Sequence, residues 1–276
     1  MRIDPRAIVD PVANLADDVV VGPFSIIQAG VTIGANTVIG PHVVIESGTT
    51  VGARCRIGSG AKLGGAPQDV SYAGGTSYLS IGDECDIREL AVIHRSAVTG
   101  GCTKIGSHNF IMSQAHIAHD CVLGDHVVVA SMTALAGHVE VEDWAVVGGV
   151  TGVHQFVRIG THSIVGGASR LIKDAPPYMR TAGNPAMVRG VNTVGLRRAG
   201  FAPQQRKELK DVYRLLYRSD LNIKQVLDTL RCQPPLSAPV AHLVRFIERS
   251  KRGLCSSPRR SSSHDTEGER EQWNEN

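Results

Sequence analysis

The feature that most constrains this chain is an aliphatic residue at every sixth position from Ile3 to Leu171, with breaks only at Asp69, Gly75 and Thr99. An α-helix repeats its apolar face about every 3.6 residues and a strand about every 2, so neither has this period. Short strands joined by tight turns do have it, if one aliphatic residue per strand points to a common axis. The repeat therefore predicts a parallel β-helix built from hexapeptides.

Two other positions of the hexad fit the same architecture. Small residues such as Ser25, Thr37 and Cys55 recur four positions after the aliphatic one, which indicates a narrow interior. Glycine often follows the aliphatic residue directly, and we attribute it to the permissive backbone that a turn needs. Three hexads make one triangular coil, so about nine or ten coils stack at the spacing of neighbouring strands. Two segments, 64–78 and 99–104, interrupt the repeat and are predicted to leave it as loops.

The chain changes character after Leu171. Residues 175–192 are rich in proline and glycine and are predicted to be irregular. Three apolar stripes at helical spacing follow: Leu209, Val212, Tyr213 and Leu216; Ile223, Val226, Leu227 and Leu230; Val240, Leu243, Val244 and Ile247. We therefore expect a β-helix domain over 1–190, a small helical domain over 191–252 and a disordered tail over 253–276, where almost nothing apolar is available to bury.

Composition limits the compartment and the partners. The six cysteines form no CxxC pair and no ligand-like group, which fits a reducing compartment. The N-terminal MRIDPRAIVDP lacks the apolar run of a signal peptide, and no apolar stretch approaches the roughly 18 residues of a membrane span. We expect a cytoplasmic protein without stable membrane insertion. The formal net charge of +3 says little by itself about partners, and no nucleic-acid partner is expected.

The stretch QAHIAHD concentrates candidate chemistry in the repeat, at His116, His119 and Asp120. A histidine with an ordinary pKa of about 6.5 can accept a proton at physiological pH. A carboxylate beside it can fix its tautomer and stabilise the cation that forms. Asp120 is a candidate for that role, although adjacent residues on a strand face opposite ways and are expected to meet poorly.

Coil stacking brings further residues to the same place. If the frame is unbroken from 105 to 171, residues one coil apart lie above one another. This puts Gly137 and then Gln155 over His119, and His138 over Asp120. A glycine N–H that no side chain shields can donate to an oxyanion. Since no serine or cysteine is placed as a nucleophile, direct transfer onto a bound acceptor is favoured over a covalent intermediate.

Six segments resemble the UDP-N-acetylglucosamine O-acyltransferase family, which opens lipid A biosynthesis, over the chain up to about residue 252. They are IRELAVIHR, SQAHIAHDC, TALAGHVEV, GGVTGVHQFVRIG, GVNTVGLRRAGF and PQDVSYAGG. The resemblance implies a left-handed β-helix and a homotrimer with active sites between subunits. It also implies transfer of an (R)-3-hydroxyacyl group from acyl carrier protein to the 3-hydroxyl of UDP-N-acetylglucosamine. No cofactor is implied beyond the phosphopantetheine of the carrier protein, and no metal.

Site residues also follow from the resemblance. Matched position by position, His119 corresponds to the general base, Asp120 to the group that orients it and Gly137 to the oxyanion donor. Other matched positions contact substrate: Gln68, Asp69, His94, His116, His138, His154, Gln155, Gly167, Asn192 and Arg198. Gly167 matches a position that limits acyl length, and Asn192 and Arg198 match the nucleotide side. Ser71 and Val194 depart from the family pattern, where a lysine and an acid are usual.

A basic cluster agrees with an acidic carrier protein as partner, since opposite charge steers association. It consists of Arg197, Arg198, Arg206, Lys207, Lys210, Arg214 and Arg218, against Glu208 and Asp211. A solvated helix face is the ordinary explanation of such a cluster.

Other functions are compatible with the repeat. The N-acyltransferase of the same pathway shares the β-helix, but it should carry a separate N-terminal uridine-binding domain, whereas here the repeat begins at Ile3. A zinc enzyme of the gamma carbonic anhydrase type holds its metal with three histidines, but the spacing of His116 and His119 does not resemble its ligand pattern. A purely structural β-helix is the remaining alternative.

Overall fold

The computed structural model describes residues 1–232 and 236–258, which form 28 strands and four helices. The strands are β1 (Arg2–Ile3), β2 (Ile8–Val9), β3 (Asn14–Leu15), β4 (Val20–Val21), β5 (Ile26–Ile27), β6 (Thr32–Ile33), β7 (Val38–Ile39), β8 (Val44–Ile45), β9 (Thr49–Val51), β10 (Arg56–Ile57), β11 (Lys62–Gly65), β12 (Tyr78–Ile81), β13 (Asp86–Ile87), β14 (Val92–His94), β15 (Cys102–Ile105), β16 (Phe110–Ile111), β17 (His116–Ile117), β18 (Val122–Leu123), β19 (Val128–Val129), β20 (Ala134–Leu135), β21 (Glu140–Val141), β22 (Val146–Val147), β23 (Gly152–Val153), β24 (Arg158–Ile159), β25 (Ile164–Val165), β26 (Arg170–Leu171), β27 (Met179–Ala182) and β28 (Met187–Val191). The helices are α1 (Thr193–Arg198), α2 (Pro203–Arg218), α3 (Ile223–Arg231) and α4 (Ala238–Glu248).

The strands form three sheets of 11, 9 and 8 strands, and each sheet takes every third strand of the β-helix. Neighbouring strands are parallel and one coil apart, as in the pairing of Val20 with Val38. Two loops enlarge single coils, between β11 and β12 and between β14 and β15, so that Ile57 pairs with Ile87 and Ile87 with Ile111. The second loop comes slightly earlier than predicted, because Cys102 already belongs to a strand. The predicted β-helix is confirmed.

The interior is a column of aliphatic side chains, with small residues closing each corner. The inward residues of the central coils, such as Ile45 and Ile93, are fully buried, and each such side chain contributes about 1.5–3 kcal/mol relative to an exposed one. Ser25 shows why the small positions are often hydroxyls. Its Oγ donates to Gly40 O at 2.8 Å and accepts from Val43 N at 3.1 Å, which ties neighbouring coils together.

The glycine after each aliphatic residue does not serve the turn, contrary to our prediction. The left-handed turn residue comes two positions later and is usually not glycine, for example Asn36 (φ 58°) and Arg54 (φ 55°). The glycine is needed because the next coil approaches it closely. A Cβ on Gly34 would lie 2.6 Å from the backbone nitrogen of Ala53. The stacking of coils, and not the turn, therefore selects this glycine.

Gly34→Ala is expected to destabilise the fold by about 1–3 kcal/mol, since backbone of the next coil must move to admit the methyl group. Gly152→Ala is the matched control, because a Cβ there has no neighbour within 4 Å. Thermal unfolding at one fixed protein concentration measures both variants. Equal melting temperatures for the two would contradict the close-approach explanation.

The region after the β-helix holds a hairpin that the sequence did not predict. β27 and β28 pair antiparallel at the end of the 11-stranded sheet, within the segment predicted to be irregular. The three predicted helices are present as α2, α3 and α4, and α3 begins with Asn222 accepting from Gln225 N at 3.0 Å. Tyr178, Met179 and Val188 are buried in the same hydrophobic core as the helices, so the hairpin packs against the helical region.

The first residues of the predicted disordered tail pack back onto the fold. Cys255 N donates to Asp174 O at 2.8 Å, and Val188 N donates to Ser256 O at 2.7 Å. Leu254 and Cys255 are buried in the helical core, which composition did not reveal. Residues 259–276 of that predicted tail lie outside the described residues. Of the helices described, none is both long and apolar enough to cross a membrane.

Candidate active site

His119 and Asp120 form a hydrogen-bonded pair at a corner of the β-helix. His119 Nδ1 donates to Asp120 Oδ2 at 2.8 Å, and His119 is only 8% exposed. The expected poor contact between adjacent strand residues is wrong, because both residues follow the strand β17. Asp120 is the left-handed turn residue (φ 59°), which turns its side chain back toward His119. The pair leaves Nε2 of His119 as the proton-accepting atom.

The loop between β14 and β15 holds the carboxylate of Asp120. Ser96 Oγ donates to Asp120 Oδ1, and Ala97 N donates to Oδ2 at 3.1 Å. The N–H of Asp120 itself donates to Thr103 Oγ1 at 2.8 Å. Burial acts to raise the pKa of Asp120, but the hydrogen bonds from Ser96, His119 and Ala97 outweigh it and hold that pKa below its usual range. Asp120 is therefore an ionised, fixed partner for the imidazole.

Gly137 lies one coil above His119, as the repeat predicted. The main chains of the two coils are joined by His138 N donating to His119 O at 3.1 Å. A Cβ on Gly137 would lie 2.6 Å from Cε1 and 2.7 Å from Nε2 of His119. The bare glycine backbone is therefore in contact with the edge of the ring that carries the free nitrogen.

The N–H of Gly137 has no acceptor among the described residues. At the same turn position of two other coils, an acidic side chain accepts this N–H. Asp83 accepts from Ala53 N at 2.8 Å, and Asp125 accepts from Ser107 N at 2.7 Å. Gly137 thus keeps a donor free at the place where a ligand can reach it.

An open cleft of about 820 Å³ lies in front of these groups, along the outer face of the 9-stranded sheet. The predicted site residues that line it are Gln68, Asp69, His116, His119, Gly137, His154 and Gln155. Gln68 and Asp69 reach it from the loop between β11 and β12. Asp69 Oδ2 lies 3.8 Å from His119 Nε2. This cleft brings most of the predicted residues together.

Ser71, which departs from the family pattern, fixes Asp69. Its N–H and its hydroxyl both bond to Asp69 Oδ1, at 2.8 Å and 2.7 Å. These two hydrogen bonds keep the pKa of Asp69 below its usual range. Asp69 is therefore a carboxylate held at the mouth of the cleft.

His94 and His116 form a second imidazole pair at the cleft wall, with ring centroids 5.1 Å apart. His94 Nδ1 donates to Ala66 O at 2.7 Å. The buried Nε2 atoms of both rings have no partner within the described part of the chain. Burial, with a smaller contribution from His94, lowers the pKa of His116, so its neutral form is favoured. Of the two rings, His116 lines the cleft.

One group within the described residues could hold a metal ion, namely His119, Asp120 and His138, whose ligand atoms lie within 4.8 Å of one another. The hydrogen bond between His119 and Asp120 occupies the atoms that a metal would need. The arrangement fits a proton-transfer pair better than a ligand set.

Comparison with known proteins decides the family. The UDP-N-acetylglucosamine O-acyltransferase model, domain 2, matches residues 174–255, and bacterial transferase hexapeptide repeats match 12–47, 30–65 and 102–137. The acyl-[acyl-carrier-protein]–UDP-N-acetylglucosamine O-acyltransferase of Cupriavidus metallidurans is 54% identical over 92% of this chain and 98% of its own. The UDP-N-acetylglucosamine O-acyltransferase structure from Moraxella catarrhalis has a TM-score of 0.89 at 42% identity, covering 92% of this chain and 100% of that one. The chain belongs to the UDP-N-acetylglucosamine O-acyltransferase family.

The similarity to this acyltransferase family extends over both the β-helix and the helical region. The match to the second domain of the family begins at residue 174, before the hairpin. Six residues that the family resemblance selected do not line the cleft of a single chain, namely His94, Asp120, His138, Gly167, Asn192 and Arg198. Asp120 and His94 contact His119 and His116, which do line it. His138 lies on the far side of Asp120, with its Nε2 3.8 Å from Asp120 Oδ2. Gly167 occupies a turn after β25, Asn192 is the N-cap of α1 and donates to His162 O at 2.9 Å, and Arg198 is exposed at the end of α1.

The cleft also contains residues that sequence reasoning missed. Ala134, Gly152 and Arg170 line it, each one coil beyond the last, starting from His116. The arithmetic that placed Gly137 over His119 would have found them, had it been applied to His116. Ser96 could not be found that way, because its loop enlarges the coil and breaks the frame.

Proposed function

We propose that this acyltransferase moves an (R)-3-hydroxyacyl group from acyl carrier protein to the 3-hydroxyl of UDP-N-acetylglucosamine, the first step of lipid A biosynthesis, in the cytoplasm. The family assignment supports the reaction class. The observation that carries the chemistry is the buried His119, hydrogen-bonded to Asp120 and in contact with Gly137 at the head of the cleft. Apart from the phosphopantetheine on the carrier protein, the reaction needs no cofactor.

In the proposed mechanism, His119 Nε2 takes the proton of the sugar hydroxyl as that oxygen attacks the thioester carbonyl. The negative charge that develops on the carbonyl oxygen is met by the free N–H of Gly137. Asp120 stabilises the imidazolium through the Nδ1 hydrogen bond. Collapse of the tetrahedral intermediate forms the ester and breaks the C–S bond. His119 returns the proton to the departing sulfur, so the enzyme ends unchanged.

We propose a homotrimer in which a neighbouring subunit completes the site. Arg198 is exposed and lies away from the cleft of its own chain, so it fits a contribution to the nucleotide side of a neighbour's cleft. Asn192, at the start of the same helix, would act there by holding α1 in place. One corner of the β-helix exposes three large apolar side chains, Leu90 (53%), Met132 (57%) and Val150 (62%). Apolar side chains that are exposed on a single chain are expected where another subunit covers them.

The carrier protein is proposed to dock on the basic cluster of α1 and α2. Lys210, Tyr213, Arg214 and Arg218 border an open depression of about 770 Å³ beside β28. Asp211 pairs with Lys207 and Arg214 at 3.3 Å and 2.9 Å, and the remaining charge is positive. An acidic protein is attracted to this surface over about 10 Å at ordinary ionic strength.

The function is tested with purified protein, UDP-N-acetylglucosamine and a series of (R)-3-hydroxyacyl carrier proteins of increasing chain length. We expect transfer that depends on the sugar nucleotide, with one preferred chain length, and with the 3-amino sugar analogue run in parallel. A UDP-3-O-acylglucosamine acceptor should remain unmodified, which separates this reaction from N-acylation. Absence of transfer from every carrier would overturn the proposal.

A further inference from the structure

Ser96 is placed to control the orientation of the Asp120 carboxylate. Three groups donate to that carboxylate, and they divide between its two oxygens. Ala97 N and His119 Nδ1 donate to Oδ2, whereas Ser96 Oγ donates to Oδ1. Ser96 therefore supplies the hydrogen bond that fixes which oxygen faces His119.

The direction of the Ser96 hydroxyl proton follows from its surroundings. A serine hydroxyl has one proton to donate and two lone pairs that accept. Val98 N donates into Ser96 Oγ at 3.0 Å, so a lone pair is already used. Val98 O is another acceptor within reach, at 3.3 Å, but Asp120 is nearer and charged. The proton is thus directed to Asp120 Oδ1, where a charge-assisted hydrogen bond is strongest.

Ser96 cannot act on substrate directly. It is 0% exposed and is absent from the lining of the cleft. Without its hydroxyl, Oδ1 of Asp120 would lose its donor and the carboxylate could rotate toward His138, whose Nε2 is 3.8 Å from Oδ2. Rotation would loosen the hydrogen bond that sets the tautomer and angle of His119.

We propose that Ser96 is a positioning residue of the acyl-transfer reaction, holding Asp120 in the orientation in which it serves His119. This inference rests on the proposed function of His119 as general base. It extends the catalytic pair to a buried chain of three side chains, Ser96, Asp120 and His119, that begins in the loop between β14 and β15.

Ser96→Ala is expected to lower kcat about tenfold, the size of effect typical for one hydrogen bond to a charged group. The KM for UDP-N-acetylglucosamine should stay near that of the wild type, because the cleft is untouched. The acidic limb of the kcat/KM against pH profile should move to lower pH. The reason is that a carboxylate turned away from His119 stabilises the imidazolium less, so His119 holds its proton less tightly.

Ser77→Ala is the matched control for a structural role of the loop. Ser77 is also buried, and its hydroxyl donates to Ser96 O at 2.5 Å without touching Asp120. The control should lose a similar amount of thermal stability while keeping the pH profile of the wild type. If Ser96→Ala changes kcat and the pH profile no more than Ser77→Ala does, the inference is wrong.

A double-mutant cycle keeps the test decisive even if Ser96→Ala also weakens folding. In an Asp120→Ala background, Ser96→Ala should cause no further loss of kcat, since the hydroxyl then has no carboxylate to hold. An equal loss in both backgrounds would show a structural effect only. Activity retained in His119→Ala would instead refute the general-base role of His119, and absence of acyl transfer by the wild type would refute the proposed function, so the failures are distinguishable.

Discussion

Replacing His119 with alanine is expected to lower kcat by about 10² to 10⁴-fold, the usual loss when a positioned general base is removed. The imidazole takes the proton as the sugar hydroxyl attacks, and it is the ring that bonds to Asp120 and lies against Gly137. The KM values should change much less, because the long walls of the cleft, including Gln155 and His154, remain in place.

The control for this variant is His42→Ala. His42 is likewise a histidine at a turn, where it is the left-handed residue itself (φ 57°), but it lies near the N-terminal end of the β-helix and stacks on Phe24. Steady-state kinetics of both variants, with melting temperature and oligomeric state recorded alongside, separate chemistry from folding. Near-normal turnover by folded His119→Ala would remove the mechanism, whatever the family of the chain.

Much of the fold could be predicted from the sequence because the coils of a β-helix stack in a regular register. Once the inward residue of each hexad is known, adding one coil gives the residue above it. This placed Gly137 over His119 and His138 over Asp120, and the hydrogen bond from His138 N to His119 O confirms that register. The same rule would have found the alanine, glycine and arginine above His116.

Sequence reasoning was weakest for residues outside this regular register. Ser96 sits on a loop that leaves the frame, so no arithmetic brings it to Asp120. Asp69 sits on another such loop, and only the family resemblance selected it. The hairpin β27–β28 was missed because its proline and glycine residues resemble those of an irregular segment. The contact between His119 and Asp120 depends on a positive φ at an aspartate, and alternation along a strand predicts the opposite geometry.

Replacing Gly137 with alanine is expected to lower kcat by about 10² to 10³-fold, comparable to the loss of an oxyanion donor. The added Cβ would fall 2.6 Å from Cε1 and 2.7 Å from Nε2 of His119, far inside van der Waals contact. The ring must therefore turn away, which breaks its hydrogen bond to Asp120 at 2.8 Å. The methyl group would also cover the N–H that meets the oxyanion.

Stability should change less than activity in Gly137→Ala, because the atoms in the way belong to a side chain at the edge of a cleft. Gly34→Ala gives the contrast, since there the obstructing atoms are backbone and the main effect should be on folding. A crystal structure of Gly137→Ala should show His119 displaced from Asp120. Wild-type turnover would contradict the role of Gly137 as oxyanion donor, and another donor would then be required. An inactive variant with an unmoved imidazole would show that the loss of activity does not come from displacement of His119.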